Sequence, residues 1–595
     1  MKLIQNIGVG IFIISLLIFI GMLGLGEQKL SNDNIPGDTG YHRNAISNAA
    51  KNAGILDISM NNIEFVSAFK SVLSEAQRNQ NELAKSSLPE GVAEWDFKLG
   101  NWKLENYIST AVKKSASGPV QENPWLFFFL TFGLAIFGGL LFIMPKFGEN
   151  PGIKHNGIYH DSLTRGLKFN LRNGLLILTI IAVIVYGFVK EGNLFWPIVT
   201  FVIAGLITYF VFYRENSKDN NPQRSASPIN TGWLGIITGF ILIGFYILLY
   251  WKPEYIHNWV SMVNPLSLLL SEGEASRWFL YGLMYTVIML VMGIRMLAKY
   301  QHNKYQRVRT YSVMFFQTAF AFLIPQILAK SNLPAPDLKN IWPLDYSFFF
   351  DYRLDELAAN GTLGIFMLVW GIVLFSVGVP VFVFFFGKRW YCSWVCGCGG
   401  LAETMGDPFR QLSDKSMRAW KYERYIIHGV MVAAVLMTIG VLYTYFTGSY
   451  SIGFIDTSSL KAWYGFFIGA GFAGIVGTGF YPLMGNRMWC RFGCPLAGYL
   501  GLIQKFRSKF RITTNGGQCI SCGNCSTYCE MGIDVRSYAQ KGQNIVRSSC
   551  VGCGVCAAVC PRGVLRLENG SDLGDSRTEE LKTIHISEGE VRMLG

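Results

Sequence analysis

All 13 cysteines of this 595-residue chain lie between Cys392 and Cys560. Eight of them form two runs of one spacing, Cys519-x2-Cys522-x2-Cys525-x3-Cys529 and Cys550-x2-Cys553-x2-Cys556-x3-Cys560, the second followed by Pro561. Three thiolates at x2 spacing can hold three corners of a [4Fe–4S] cube, and in a two-cluster ferredoxin the fourth cysteine of each run ligates the other cluster. The spacing therefore predicts one cluster on Cys519, Cys522, Cys525 and Cys560 and a second on Cys550, Cys553, Cys556 and Cys529. Gly523, Gly552 and Gly554 stand between these cysteines, where backbone freedom helps the chain wrap a cube. A zinc ribbon would use two cysteine pairs, a long spacer and four ligands per ion, which two x2-x2-x3 runs do not suit. One residue departs from the usual pattern: Cys529 is followed by Glu530, not proline.

The other five cysteines form a second constellation. Cys392-x3-Cys396-x-Cys398 follows Lys388-Arg389-Trp390-Tyr391, and Cys490-x3-Cys494-Pro495 follows Asn486-Arg487-Met488-Trp489. Both loops come just after an apolar run and carry a basic, aromatic lead-in, which points to an internal repeat of helix plus cysteine loop. Thiols converging from both loops could hold a third cluster or another metal, or form a thiol–disulfide pair. The bland alternative is separate, inert buried thiols. The repeated x3 spacing favours a redox or metal site.

These residues also carry a family resemblance. A pair of C-x3-C(P) loops at the inner ends of helices, followed by a two-cluster ferredoxin module, resembles the NapH/NosR/CcoG group of membrane ferredoxins over residues 361–568. The resemblance implies electron transfer between the quinol pool or a cytoplasmic donor and a periplasmic reductase, or support for that enzyme's maturation. Gly397 follows Cys396 where the group has proline, Cys398 is extra, and Ser115-Ala116-Ser117-Gly118 is not the flavin-attachment motif of the NosR type. The subfamily therefore stays open.

The elements that must position these cysteines read as membrane helices. The chain is 51% hydrophobic and 15% charged, against about 25% charged in soluble domains. Apolar runs occur at 7–25, 125–144, 174–189, 194–213, 232–250, 278–298, 311–328, 361–386, 426–446 and 463–484. Each approaches the roughly 20 residues a spanning helix needs. The fold class expected is an all-α polytopic membrane domain of about ten transmembrane helices, with a C-terminal α+β ferredoxin domain. The glycines of the last run, Gly469 to Gly479, suggest close helix packing; no strand precedes them, as a nucleotide-binding loop would require.

Orientation follows from charge. Segments 145–173, 299–310 and 387–425 are basic, whereas 330–360 is acidic. This positive-inside pattern puts the basic loops and everything after residue 484 in the cytoplasm of a bacterial inner membrane. It also accounts for the net charge of +13 without nucleic acid as a partner. The domains expected are an uncleaved anchor helix (1–25), a periplasmic helical segment (26–124, with 61–83 its clearest helix), membrane helices (125–385), a cysteine-loop region (386–500), the ferredoxin domain (501–570) and a tail (571–595). Residues 510–514 and 564–567 read as strands flanking the cysteine runs.

No C-x-x-C-H occurs, so covalent haem is not expected. His428 lies inside a predicted helix and reads as an interfacial histidine. His155, His160 and His302 lie on inner loops and could bind a quinone head group or nothing. The function expected is an electron-transfer subunit linking a cytoplasmic donor or the quinone pool to a partner oxidoreductase. The alternative is a maturation factor whose juxtamembrane thiols reduce or deliver a metal such as copper, since thiolates suit Cu(I).

Overall fold

The computed structural model describes residues 2–86, 92, 94–148, 233–335, 339–449, 451–453, 455–569, 583–587 and 590–594. Among these, seven helical stretches are long and apolar enough to cross a membrane: Leu3–Gly24, Pro124–Gly148, Arg277–Lys299, Lys304–Lys330, Gly361–Phe386, Met417–Thr447 and Thr457–Gly479. Each matches a predicted run. The run at 232–250 forms a helix, Trp233–Trp251, whose apolar part is shorter than a full span. The runs at 174–189 and 194–213, with His155 and His160, lie outside the described residues. The chain divides into two compact units.

In the first unit, helix Lys2–Gly21 packs along helix Leu134–Ile143. Gly8 and Gly138 face each other there. A Cβ on Gly8 would come within 2.6 Å of the Gly138 carbonyl oxygen, so only glycine allows this approach. The polar segment that follows contains the helices Gly40–Asn52, Asn62–Ser86 and Asn101–Ser115. It also holds a small antiparallel sheet in which Glu27–Lys29 lies between Ser59–Met60 and Ala116–Ser117. Strands this short carry little periodicity to read. Leu30, Ile46, Phe65, Phe69 and Val112 fill its core. A helix the hydropathy did not single out, His257–Ser271, is tied to the end of the first span: Asn258 Nδ2 donates to the carbonyls of Met22 (2.7 Å) and Leu25 (2.9 Å).

The second unit carries all the cysteines. Its last span contains the glycine-rich stretch, and the small residues serve packing. A Cβ on Gly469 would meet the Tyr346 hydroxyl at 2.7 Å, and one on Gly477 would meet Trp489 at 3.1 Å. After the second cysteine loop, helix Pro495–Arg507 leads into strand Phe510–Thr514, which pairs antiparallel with Leu565–Asn569. Both expected strands are present, the second shifted by one to two residues. The tail is not featureless: Thr583–Ser587 and Glu590–Leu594 pair as a hairpin.

Candidate metal centres

Cys519, Cys522, Cys525 and Cys560 line one cavity, although Cys525 and Cys560 are 35 positions apart along the chain. The β-pairing of Phe510–Thr514 with Leu565–Asn569 brings the two runs together. Gly523 adopts a left-handed conformation (φ 82°) and starts the short helix Asn524–Thr527 that carries Cys525; Gly554 (φ 73°) does the same for Val555–Ala558 and Cys556. Both turns suit glycine because an added Cβ is disfavoured at positive φ. Burial pushes the Cys525 thiol up to about 12, with Cys522, Cys560 and Cys519 as the neighbouring sulfurs. Burial likewise raises Cys550 to about 11, and Cys529 is among its neighbours. Cys556 is raised by burial and then by Cys553, Cys529 and Cys550. Each set thus draws three cysteines from one run and one from the other. Buried thiols crowded this closely stay neutral unless a cation compensates the thiolates, and an all-sulfur donor set of four fits an iron–sulfur cube.

The two membrane-edge loops also meet. Cys392, Cys396, Cys490 and Cys494 are each 6% exposed and share one hydrophobic core with Val379, Trp489 and Leu496; Cys398 packs against it, half-buried. The Cys494 thiol is pushed up by burial and then by Cys490, Cys396 and Cys392. The Cys398 thiol hydrogen-bonds to Cys396, which lowers Cys396 to about 6 despite its burial. The Ala497 N–H donates to Cys494 Sγ (3.4 Å) at the start of helix Pro495–Arg507. Arg487 Nη1 reaches Cys490 Sγ (3.5 Å) and the Cys392 carbonyl (3.2 Å), so one guanidinium touches both loops.

A buried ion network joins these loops to the ferredoxin module, and the sequence reading missed it. Glu530 Oε2 accepts from Arg410 Nη1 (2.8 Å) and Asn486 Nδ2 (3.2 Å), and Glu530 Oε1 lies 3.0 Å from Arg487 Nη2. Glu403 pairs with Arg309, Arg410 and Arg487. Asp407 pairs with Arg295, Lys299 and Arg410. Burial opposes ionisation of Glu403, but the Arg309, Arg410 and Arg487 charges outweigh it and hold the carboxyl well below the usual carboxylate range. Glu403, Glu530 and Cys553 come within 4.8 Å of one another. Because arginines already engage both carboxylates, this group belongs to the ion network and is not a separate cation site. The visible signal was Glu530 itself, in the position where such runs usually have proline.

Hydrogen bonds hold the second cysteine run against the membrane elements. Tyr305 Oη donates to the Gly552 carbonyl (2.9 Å), Gln306 Nε2 to Cys553 (2.8 Å), Ser393 Oγ to Val551 (2.8 Å) and Gln504 Nε2 to Cys550 (2.8 Å). The first run is more open: Ile520 is 57% exposed, and Pro561 and Arg562 are exposed. His428 lines a separate basic cavity, and His302 lies in the turn after Lys299.

Comparison with known proteins agrees with this geometry. Residues 518–565 match the 4Fe-4S dicluster domain family. Residues 368–416 and 464–513 each match the 4Fe-4S binding domain family, so both cysteine loops fall within copies of one domain. Over 166 residues the chain is 29% identical to YccM of Escherichia coli (strain K12), named as a candidate electron transport protein; the match covers 26% of this chain and 44% of that protein. The chain thus spans less than half the length of this curated relative. No solved structure matches. The chain thus carries 4Fe-4S binding domains beside membrane-like apolar helices.

Proposed function

We propose that this iron–sulfur electron transport protein is a membrane-bound relay between a cytoplasmic donor, or the quinone pool, and a partner oxidoreductase. Cys519, Cys522, Cys525 and Cys560 hold one [4Fe–4S] cluster, and Cys550, Cys553, Cys556 and Cys529 hold the other. Cys392, Cys396, Cys490 and Cys494, with Cys398 beside them, hold a third metal centre at the membrane edge. Clusters held there supply one-electron chemistry. The observation that carries the reading is Arg487, which contacts Cys490 Sγ, the Cys392 carbonyl and Glu530 next to Cys529. One buried side chain thereby fixes the loops against the ferredoxin module.

The protein's own residues give the relay a direction. The first cysteine set lies beside exposed Ile520 and Arg562, where a redox partner can approach. Tyr305, Gln306, Ser393 and Gln504 cover the second set and exclude water from it. The basic loops at 299–310 and 387–425 support a cytoplasmic ferredoxin module in a bacterial inner membrane, with residues 26–124 in the periplasm.

Anaerobic iron and acid-labile sulfide content, with EPR of the dithionite-reduced protein, tests this reading. Three clusters require about twelve irons, and Cys392→Ser with Cys490→Ser should leave about eight. A wild type with about eight irons, unchanged by that double variant, would remove the third cluster. Little iron in a folded, anaerobic preparation would remove the relay. A second reading rests on Cys398, a fifth thiol beyond the four a cube needs: the loops could pass a soft cation such as Cu(I) to a respiratory metalloenzyme. Normal ferredoxin signals with a metal-deficient partner enzyme in the same double variant would favour it.

A further inference from the structure

A cavity of about 600 Å³ lies beside the metal centres within the second unit and reaches Cys490. Its walls come from the first turns of helix Met417–Thr447, from helix Pro495–Arg507 and from the ferredoxin segment 532–549. Six cationic side chains line it: Lys388, Lys415, Arg424, Lys505, Lys541 and Arg547. Only two carboxylates do, and both are engaged: Glu423 with Arg491 (2.6 Å), and Asp534 with the Ser526 hydroxyl (2.7 Å). Among the described residues, Lys388, Arg424, Lys505, Lys541 and Arg547 have no acidic partner.

Two side chains inside the cavity are built for a ligand. Lys388 is 1% exposed, yet its ammonium donates only to the Ser548 carbonyl (2.9 Å), although it carries three N–H donors. Cys392 and Cys550 also feel its charge, but among the described residues no carboxylate pairs with it, so it still offers donors to an anion in the cavity. His428 lines the same space, and its buried Nδ1 has no hydrogen-bond partner. At the mouth, the Arg547 and Arg424 guanidiniums lie 4.6 and 5.6 Å from the Trp420 ring, which holds both. The flanks are apolar and open: Met417 and Phe506 are each 70% exposed. Helix Met417–Thr447, which forms one wall, is long and apolar enough to span the bilayer.

We propose that this cavity binds the phosphate of an anionic phospholipid headgroup, with the acyl chains leaving along helix Met417–Thr447. Basic pockets at the end of a membrane helix suit such headgroups. The exposed apolar flanks favour a lipid over a soluble phosphate. The site is independent of electron transfer, so its test does not depend on the relay.

The test uses the full-length protein, anaerobic and in a neutral detergent, titrated with fluorescently labelled phosphatidylglycerol. Saturable binding of about one equivalent is expected, roughly tenfold or more tighter than phosphatidylcholine with the same chains. Replacing exposed Lys505 and Lys541 and half-buried Arg547 with glutamine should weaken binding by roughly tenfold or more while iron content stays at the wild-type level. Equal binding of phosphatidylcholine, or unchanged binding in a triple variant with full iron, would overturn the proposal. Displacement by glycerol 3-phosphate at concentrations comparable to the lipid would overturn the lipid assignment and make the occupant a soluble phosphate.

Discussion

Glu530 Oε1 and Arg487 Nη2 sit 3.0 Å apart, with both side chains wholly withdrawn from solvent. A buried pair of this kind adds little over a well-packed apolar one, but removing one partner strands the other charge at a cost of about 3–5 kcal/mol. Glu530→Gln is therefore expected to lower the anaerobic thermal midpoint markedly. Glu530→Pro, which restores the residue common in such runs, should do no better. A proline variant as stable as wild type would mean the carboxylate does not fasten the module.

Arg487 also donates towards Cys490 Sγ. A donor to a ligand sulfur favours the more negative, reduced form of a metal centre. A charge-assisted hydrogen bond contributes about 1.5–3 kcal/mol, equivalent to roughly 60–130 mV for one electron. If the membrane-edge centre proposed above is present, Arg487→Gln should lower its midpoint potential by up to about 100 mV, read by EPR-monitored redox titration. Arg487→Lys should recover part of the shift, since it keeps the charge and loses the planar fork. A merely structural role would change stability and leave the potential alone.

Asp407 links acidity to stability. Burial opposes its ionisation, but Lys299, Arg295 and Arg410 outweigh that and hold the carboxyl well below the usual carboxylate range. Its folded-state pKa is thus depressed. The stability it contributes is complete above the ordinary aspartate pKa of about 3.9 and is lost as pH falls towards and below it. Anaerobic melting midpoints of wild type should hold between pH 7 and about 5 and fall as pH drops from about 4 to about 2. Asp407→Asn should melt lower at pH 7 and show a shallower acid slope; an unchanged slope would place the acid sensitivity elsewhere.

The proposed topology has a direct readout. Tyr41 is 41% exposed on the segment placed in the periplasm, and Lys541 is exposed on the ferredoxin module. In intact cells, a membrane-impermeant maleimide should label Tyr41→Cys and not Lys541→Cys. Residues before Cys392 contain no native cysteine to confuse the first measurement. The reverse pattern would invert the protein in the membrane.

Much of this site was legible because cysteine spacing is a local property. The x2-x2-x3 runs and their flanking strands need only a few residues of context, and the structure gathers Cys519, Cys522, Cys525 and Cys560 around one cavity. The repeated x3 spacing in the loops of Cys392 and Cys490 favoured a shared redox or metal site over separate thiols, and the two loops share a core. The ion network was not legible. Arg309, Glu403, Arg410, Arg487 and Glu530 are scattered over more than two hundred residues, and their pairing depends on how the helices pack. Basic residues such as Arg410 read as loop charge, which positive-inside counting treats as a signpost for orientation. Arg410 is instead fully buried. Helix His257–Ser271 was missed for a related reason: its Asn258, Asn264 and Pro265 break the apolar pattern, and Asn258 finds its partners in backbone carbonyls of the first span's end.

Only two residues separate helix Pro495–Arg507 from strand Phe510–Thr514, and Phe510 is buried in the same core as Cys490 and Cys550. The ferredoxin module therefore has no slack with which to swing. On the relay proposed above, it would be a fixed terminal and not a shuttle, and a redox partner would have to diffuse to the face around Ile520 and leave again.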